Sequence, residues 1–242
     1  MGAKDIKYKR IFFWCALTIA VLAVIITVIS VNSTPLKPCV SEAGNIRPMA
    51  IIDPGHGGID GGALSADGVA EAGLNLIIGQ KTYDFMRFLG VYAIMTRRDD
   101  TSIDFDPDKS VRDNKNADLR ARLQLAQSNP GFDFLSIHMN KFEEPGYYGA
   151  QVFYSVNNQL SVMLAQCVQE TFVSYVDPTN KRVSKQSHES IYLMKNIKSP
   201  AVTIECGFLS NPDEAKKLCA NDYQNYIAIA ITKGYLDYIK ER

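Results

Sequence analysis

Four residues of this chain form a set with a shared chemistry: His56, Glu71, His138 and Glu205. His56 lies in Asp53-Pro-Gly-His-Gly-Gly58, His138 in Ser136-Ile-His-Met-Asn140, and Glu205 in Thr203-Ile-Glu-Cys-Gly-Phe-Leu-Ser-Asn211. Both histidines and Glu205 sit at or just past the end of short apolar runs that read as strands. Strands finishing at one edge of an α/β sheet deliver their last residues into one crevice. Two imidazoles, one carboxylate ligand and one spare carboxylate are the parts of a catalytic zinc site. With 3 histidines in 242 residues, two in such settings carry weight.

Each member has a plainer reading. The glycines around His56 let the backbone turn sharply and approach a ligand. The cluster lacks the Gly-Lys-Ser/Thr of a phosphate loop, and its spacing does not fit a dinucleotide fingerprint. A structural histidine bonded to carbonyls is the alternative. Glu71 opens a helix, where the dipole alone favours a carboxylate, so its reading as a ligand depends on its partners. A strand-end histidine such as His138 is as readily structural as metal-bound. Glu205 ends the strand Ala-Val-Thr-Ile, where an unpaired carboxylate is costly. It suits a general base that takes a proton from water and returns it to a leaving amine. Asn140 is placed to hold the neighbouring loop or a substrate amide.

Cys206 is a rival nucleophile with His138 as base. The adjacent Glu205 raises its thiol pKa, and strand alternation turns it to the opposite face, so it reads as core. His188, in Gln-Ser-His-Glu-Ser190, reads as solvated or substrate-facing.

The elements that must position these groups alternate strand and helix. Strands are expected over Met49–Asp53, Val91–Thr96, Phe132–His138, Ala150–Ser155, Ile191–Met194 and Ala201–Glu205. Helices are expected over Glu71–Leu89, Leu119–Gln127 (opened by Asn116 or Asp118), Leu160–Tyr175, about Pro212–Cys219 and Tyr223–Lys240. Arg97–Lys115 reads as a charged loop too polar for the core. The order implies an α/β domain, 48–242, with a twisted, mostly parallel sheet flanked by helices on both faces. No second domain and no repeat is expected.

Upstream, residues 11–31 carry no charge and are long enough for a transmembrane helix. Lys4, Lys7, Lys9 and Arg10 keep the 1–10 tail cytoplasmic, and 32–47 reads as a linker. An uncleaved anchor competes with a cleaved signal peptide; both place the catalytic domain on the extracytoplasmic face. Lys+Arg and Asp+Glu are each 26, a balance that argues against nucleic acid. The 5 cysteines form no CxxC pair, so neither a disulfide framework nor a thiolate site is indicated. Lipidation at Cys39 fits poorly with Leu36-Lys-Pro-Cys39.

On Asp53-Pro-Gly-His-Gly-Gly, Glu71 before Leu74-Asn75-Leu76, Thr96-Arg97, Leu119 with Arg122, Ser136-Ile-His-Met-Asn140 and Glu205-Cys-Gly-Phe-Leu-Ser-Asn-Pro212, the chain resembles the zinc-dependent N-acetylmuramoyl-L-alanine amidases of the Amidase_3 type. The match is collinear over about residues 49–239. It implies a single α/β domain, Zn2+ held by His56, Glu71 and His138, and Glu205 as catalytic glutamate. The implied reaction cuts the amide between the lactyl group of N-acetylmuramic acid and L-alanine in peptidoglycan. Ser190-Ile-Tyr-Leu-Met-Lys-Asn196, Gly149-Ala-Gln-Val-Phe-Tyr154 and the lack of wall-binding repeats resemble the short membrane-anchored sporulation amidases, implying muramic-δ-lactam formation in spore cortex and a role in germination. A vegetative wall amidase and a weakly active peptidoglycan-binding scaffold are the alternatives. Ala72-Gly73 departs from the Lys-Asp that often follows the ligand glutamate, and glycine there loosens the first helical turn. No long helix is evident to plug the crevice, so regulation would fall to an activating protein partner.

Overall fold

A computed structural model describes residues 48–242; the expected tail, membrane span and linker of 1–47 lie outside the described residues. Alternation builds the sheet. In β1 (Met49–Pro54), Ala50 and Ile52 face one side while Ile51 and Asp53 face the other. The strands β2 (Tyr92–Met95), β3 (Asp133–Asn140), β4 (Gln151–Tyr154), β5 (Lys185–Gln186) and β6 (Ala201–Phe208) complete a sheet of order β2-β1-β3-β6-β4-β5. All neighbours pair in parallel except β4 with β6, which is antiparallel.

Helices cover both faces. Ala50, Ile52, Leu135, Ile137, Val202 and Ile204 bury against α1 (Glu71–Phe88), α3 (Leu160–Thr171), α5 (Pro212–Leu218) and α6 (Asn221–Glu241). Ile51 and Phe134 bury against α2 (Val111–Ser128) and α4 (Tyr192–Asn196). Among the described residues no helix is long and apolar enough to cross a membrane.

Three expectations need correction. The run Ile191–Met194 is not a strand but leads into α4, with Ile191 and Tyr192 exposed and Leu193 and Met194 buried. Four apolar residues are too few for periodicity to choose, and tertiary packing chose a helical turn. The edge strand is β5 instead, two residues pairing with Phe153 and Tyr154. The charged segment 97–115 is not all loop: α2 begins at Val111, capped by Ser110, whose hydroxyl accepts from the Asp113 amide at 3.1 Å. Nor is it wholly outside the core, since Arg97 and Asn114 are buried. The expected helix over 160–175 holds as α3 and ends in a π-helical turn, Phe172–Val176.

Two stability predictions arise here. Gly73 lies in the first turns of α1, and a methyl group on it would meet nothing within 4 Å. Gly73→Ala therefore raises stability by about 0.5–1 kcal/mol, read from chemical denaturation. At the far end of the sheet from the histidines, Asp133 is buried against the hydroxyls of Tyr235 (3.0 Å) and Tyr238 (3.3 Å) and the Arg242 guanidinium (3.3 Å). Burial outweighs these partners and pushes its pKa up to about 6. The folded state thus holds this proton more tightly than the unfolded chain. The resulting stabilisation is present below about pH 4 and is lost as pH rises through about 6. Melts of Asp133→Asn against the parent show little difference at pH 4 and an advantage to the variant of up to about 3 kcal/mol at neutral pH.

Candidate metal centre

The centre is assembled from the loop after β1, the first turn of α1 and the later residues of β3 and β6. His56 follows β1 with φ of 61°, a left-handed conformation rare outside glycine. Two buried arginines hold the backbone leading into it. Arg97 donates to the carbonyls of Pro54 (2.9 Å), Gly55 (3.0 Å) and Ala72 (2.8 Å). Arg122 donates to those of Pro54 (2.8 Å) and His56 (2.6 Å). Arg122 is in turn paired with Asp53 and with Asp118, the latter at 2.7 Å. Asp53 also accepts from Ser136 (2.6 Å) and Thr96 (2.7 Å). Burial alone would raise the Asp53 pKa, but Arg122 and the two hydroxyls hold it below the usual range.

Glu71 is the first residue of α1 and is buried. Its Oε1 lies 3.0 Å from His138 Nδ1 and 3.3 Å from His56 Nε2, and accepts from the Met139 amide (3.1 Å) and Asn75 (3.2 Å). Its Oε2 accepts from the Ala63 amide at 2.9 Å. One ligand atom from each of His56, Glu71 and His138 falls within 4.8 Å of the others, and the two imidazoles meet edge-on at 77°. Gly55 and Gly62 make room: a Cβ on Gly55 would stand 2.2 Å from the His138 ring, and one on Gly62 2.6 Å from Glu71 Oε2.

This donor set fits a borderline cation that takes N and O ligands, such as Zn2+. Burial opposes charge on both His56 and Glu71. Their partners win: Asp60 first and Glu71 second raise the His56 pKa to about 9, and His138 with His56 drives the Glu71 carboxyl far below its usual range. Asp60 Oδ2 lies 2.9 Å from His56 Nδ1, and its other oxygen lies 2.8 Å from Lys115 Nζ. That carboxylate fixes the imidazole tautomer that turns Nε2 towards Glu71. Asp60→Asn is accordingly expected to weaken any divalent metal binding at this centre by about 10–100-fold, read with added Zn2+ in a chelator competition assay.

Glu205 pairs directly with His138 across β3 and β6, on the same sheet face, and a register shift follows immediately. Both strands run past these residues, to Asn140 and Phe208, so the two side chains emerge within the sheet rather than from its last position. Glu205 Oε2 is buried and has no hydrogen-bond partner. Burial, reinforced by the Glu71 charge and opposed by both histidines, raises its pKa to about 7. Asn140 stands two residues past His138 and is half-buried.

Cys206 points into the opposite core, and burial lifts its thiol well above the usual value. It cannot act as a nucleophile with His138. His188 stays in its own exposed loop, 2.8 Å from the Ser190 hydroxyl. Neither joins the centre. The sequence reading did not assign Asp60, Arg97 or Arg122 to the site. Arg97 and Arg122 stood out as parts of the family motifs without a role, and the Asp118–Arg122 spacing of four on a helix is a signal for one of these contacts.

A mostly parallel α/β sheet with two histidines and two glutamates gathered towards one end of its central strands is an arrangement that fits a hydrolase with a metal site. The family comparison is narrower: the Amidase_3 model, described as N-acetylmuramoyl-L-alanine amidase, matches residues 50–237. The chain belongs to that family and is an enzyme of its kind. It is 35% identical over 191 residues to the germination-specific N-acetylmuramoyl-L-alanine amidase of Bacillus subtilis (strain 168), covering 79% of each chain. It is 25% identical over 244 residues to the N-acetylmuramoyl-L-alanine amidase AmiA of Escherichia coli (strain K12), covering 84% of this chain and 79% of that one. Among solved structures, the CwlD amidase from Clostridioides difficile in complex with the GerS lipoprotein superposes with a TM-score of 0.78. It shares 40% identity and is matched over 81% of this chain and 100% of that one.

Proposed function

We propose that this amidase is zinc-dependent, with His56, Glu71 and His138 as metal ligands and Glu205 as general base and acid. The observation that carries the assignment is the contrast between the two glutamates. Glu71 is saturated by two imidazoles and three N–H donors, whereas Glu205 keeps a buried oxygen unpartnered on the same sheet face. Zinc, when bound by the first three residues, supplies Lewis acidity that polarises the lactyl carbonyl and acidifies water.

The chain's own groups do the rest. Glu205, whose buried Oε2 has no protein partner, takes the proton of the attacking water and returns it to the departing alanine amine. Asp60 and Lys115 hold the His56 ring, and Asn75 braces Glu71. Asn140, on the His138 face, is placed to hydrogen-bond a substrate amide.

The biological setting we infer is spore cortex, where the enzyme would strip stem peptides ahead of muramic-δ-lactam formation. Support comes from the germination-specific Bacillus relative. Residues 11–31 would anchor the domain on the extracytoplasmic face. Because the CwlD structure was solved with a lipoprotein, a protein partner is proposed for this chain too. The test is mass spectrometry of peptidoglycan incubated with the zinc-loaded protein. Released stem peptides with an alanine amino terminus, alongside peptide-free muramic acid, are expected. Fully substituted glycan strands after incubation with protein of proven zinc content would overturn the reading.

A further inference from the structure

We propose that Arg182 binds a carboxylate of the substrate peptide and selects stem peptides whose second residue carries a free α-carboxylate. The inference rests on the amidase reading and adds to it the side chain that reads the peptide.

Topology brings Arg182 to the catalytic end of the sheet. Because β4 runs antiparallel to β6, β4 starts where β6 finishes. Gln151, the first residue of β4, pairs directly with Glu205 and so shares its face. Gln151 Oε1 accepts from Arg182 Nη1 at 3.1 Å, and its Nε2 donates to the Val183 carbonyl at 2.8 Å. The segment entering β5 therefore lies beside Gln151 as a further strand would. That puts the Arg182 backbone two strand spacings, roughly 10 Å, from that of Glu205.

The distance suits the substrate. A peptide chain advances about 3.3–3.6 Å per residue. Glutamate in second position, joined onward through its side chain, leaves its α-carboxylate about 7 Å from the scissile nitrogen. A long guanidinium side chain closes the remaining gap.

The guanidinium is held ready for an anion. Its Nε donates to the Tyr148 carbonyl at 2.7 Å, and its plane lies 4.5 Å from the centre of the buried Phe208 ring. These contacts use two of its five N–H donors and fix the fork. Among the described residues neither Arg182 nor Lys181 forms an ion pair. Arg97 and Arg122, by contrast, spend their donors on backbone carbonyls and, for Arg122, on Asp53 and Asp118. Arg182 lines a cavity of about 250 Å³ together with Gly146, Tyr147, Tyr148, Asn180 and Lys181. An aromatic wall with two unpaired cations is a receptor for a carboxylate on a peptide.

Two synthetic substrates test this on zinc-loaded full-length protein: a muramoyl tripeptide in which D-glutamate follows L-alanine and is joined onward through its γ-carboxyl, and its counterpart with the glutamate α-carboxyl amidated. The parent should prefer the acid by about 10–100-fold in kcat/KM, the range of a charge-assisted hydrogen-bond pair, mostly through KM. In Arg182→Gln the ratio should fall to near one, and Arg182→Lys should keep part of it. Taking the ratio within one protein sample cancels any loss of folded fraction. A ratio near one in the parent, or an unchanged ratio in Arg182→Gln, overturns the inference while leaving the amidase reading standing. Failure to cut either substrate or intact peptidoglycan overturns both.

Discussion

Glu205→Gln lowers kcat by roughly 10²–10⁴-fold, the usual range for removing a general acid–base group, and leaves zinc affinity close to that of the parent. The structure separates the two effects. Glu205 Oε2 serves no hydrogen bond, so an amide in its place disturbs no protein contact. The ligand atoms of His56, Glu71 and His138 converge without it. Loss of metal in the variant would instead make Glu205 a ligand and empty the proton-transfer role. Stability provides an independent check in chelated protein. The folded pKa of Glu205 is raised to about 7, so ionising the carboxyl as pH climbs through that value costs folding free energy. The variant escapes that cost and gains up to about 3 kcal/mol over the parent above pH 7, with little gain near pH 4. Adding zinc shrinks the difference, because a nearby cation favours the ionised carboxylate.

What made the centre legible was scarcity and placement. His56 and His138 each close a short apolar run, and so does Glu205, where a charge requires a reason, although β3 and β6 continue past His138 and Glu205. Strand alternation sent Cys206 into the opposite core, as expected. The mostly parallel sheet with helices on both faces followed from elements that alternate along the chain, whereas the strand order did not. Local patterns failed where tertiary contacts decide. Ile191–Met194 has strand-like composition, yet it packs as a helical turn because only Leu193 and Met194 find apolar partners. The segment 97–115 looked solvated because its charges are dense, whereas Arg97 is buried by carbonyls supplied from Pro54, Gly55 and Ala72. No single-sequence pattern reports partners tens of residues away. The pairing of Asp60 with His56 is illegible for a different reason: the two are four residues apart, but a glycine-rich loop has no periodicity to say which side chains meet.

Arg122→Met destabilises the domain by about 3–5 kcal/mol, measured by urea denaturation, because it strands the buried Asp53 carboxylate without its cation. Replacing Asp53 by Asn in the same molecule recovers part of that loss, since the orphaned charge is then gone. It does not recover all of it, because the carbonyls of Pro54 and His56 still lack the donors Arg122 gave them. The residue linking stability to chemistry is His56. Its left-handed backbone conformation is unfavourable in isolation, and Arg122 is the side chain fastened to its carbonyl. Freed from that contact, the loop relaxes towards ordinary φ values and carries the imidazole away from Glu71. Zinc affinity should therefore fall in both the single and the double variant, even under conditions where the double variant is fully folded. Full zinc affinity in a folded Asp53→Asn/Arg122→Met protein would show that the glycines and Asp60 suffice to hold His56. Arg122 would then matter to the fold alone.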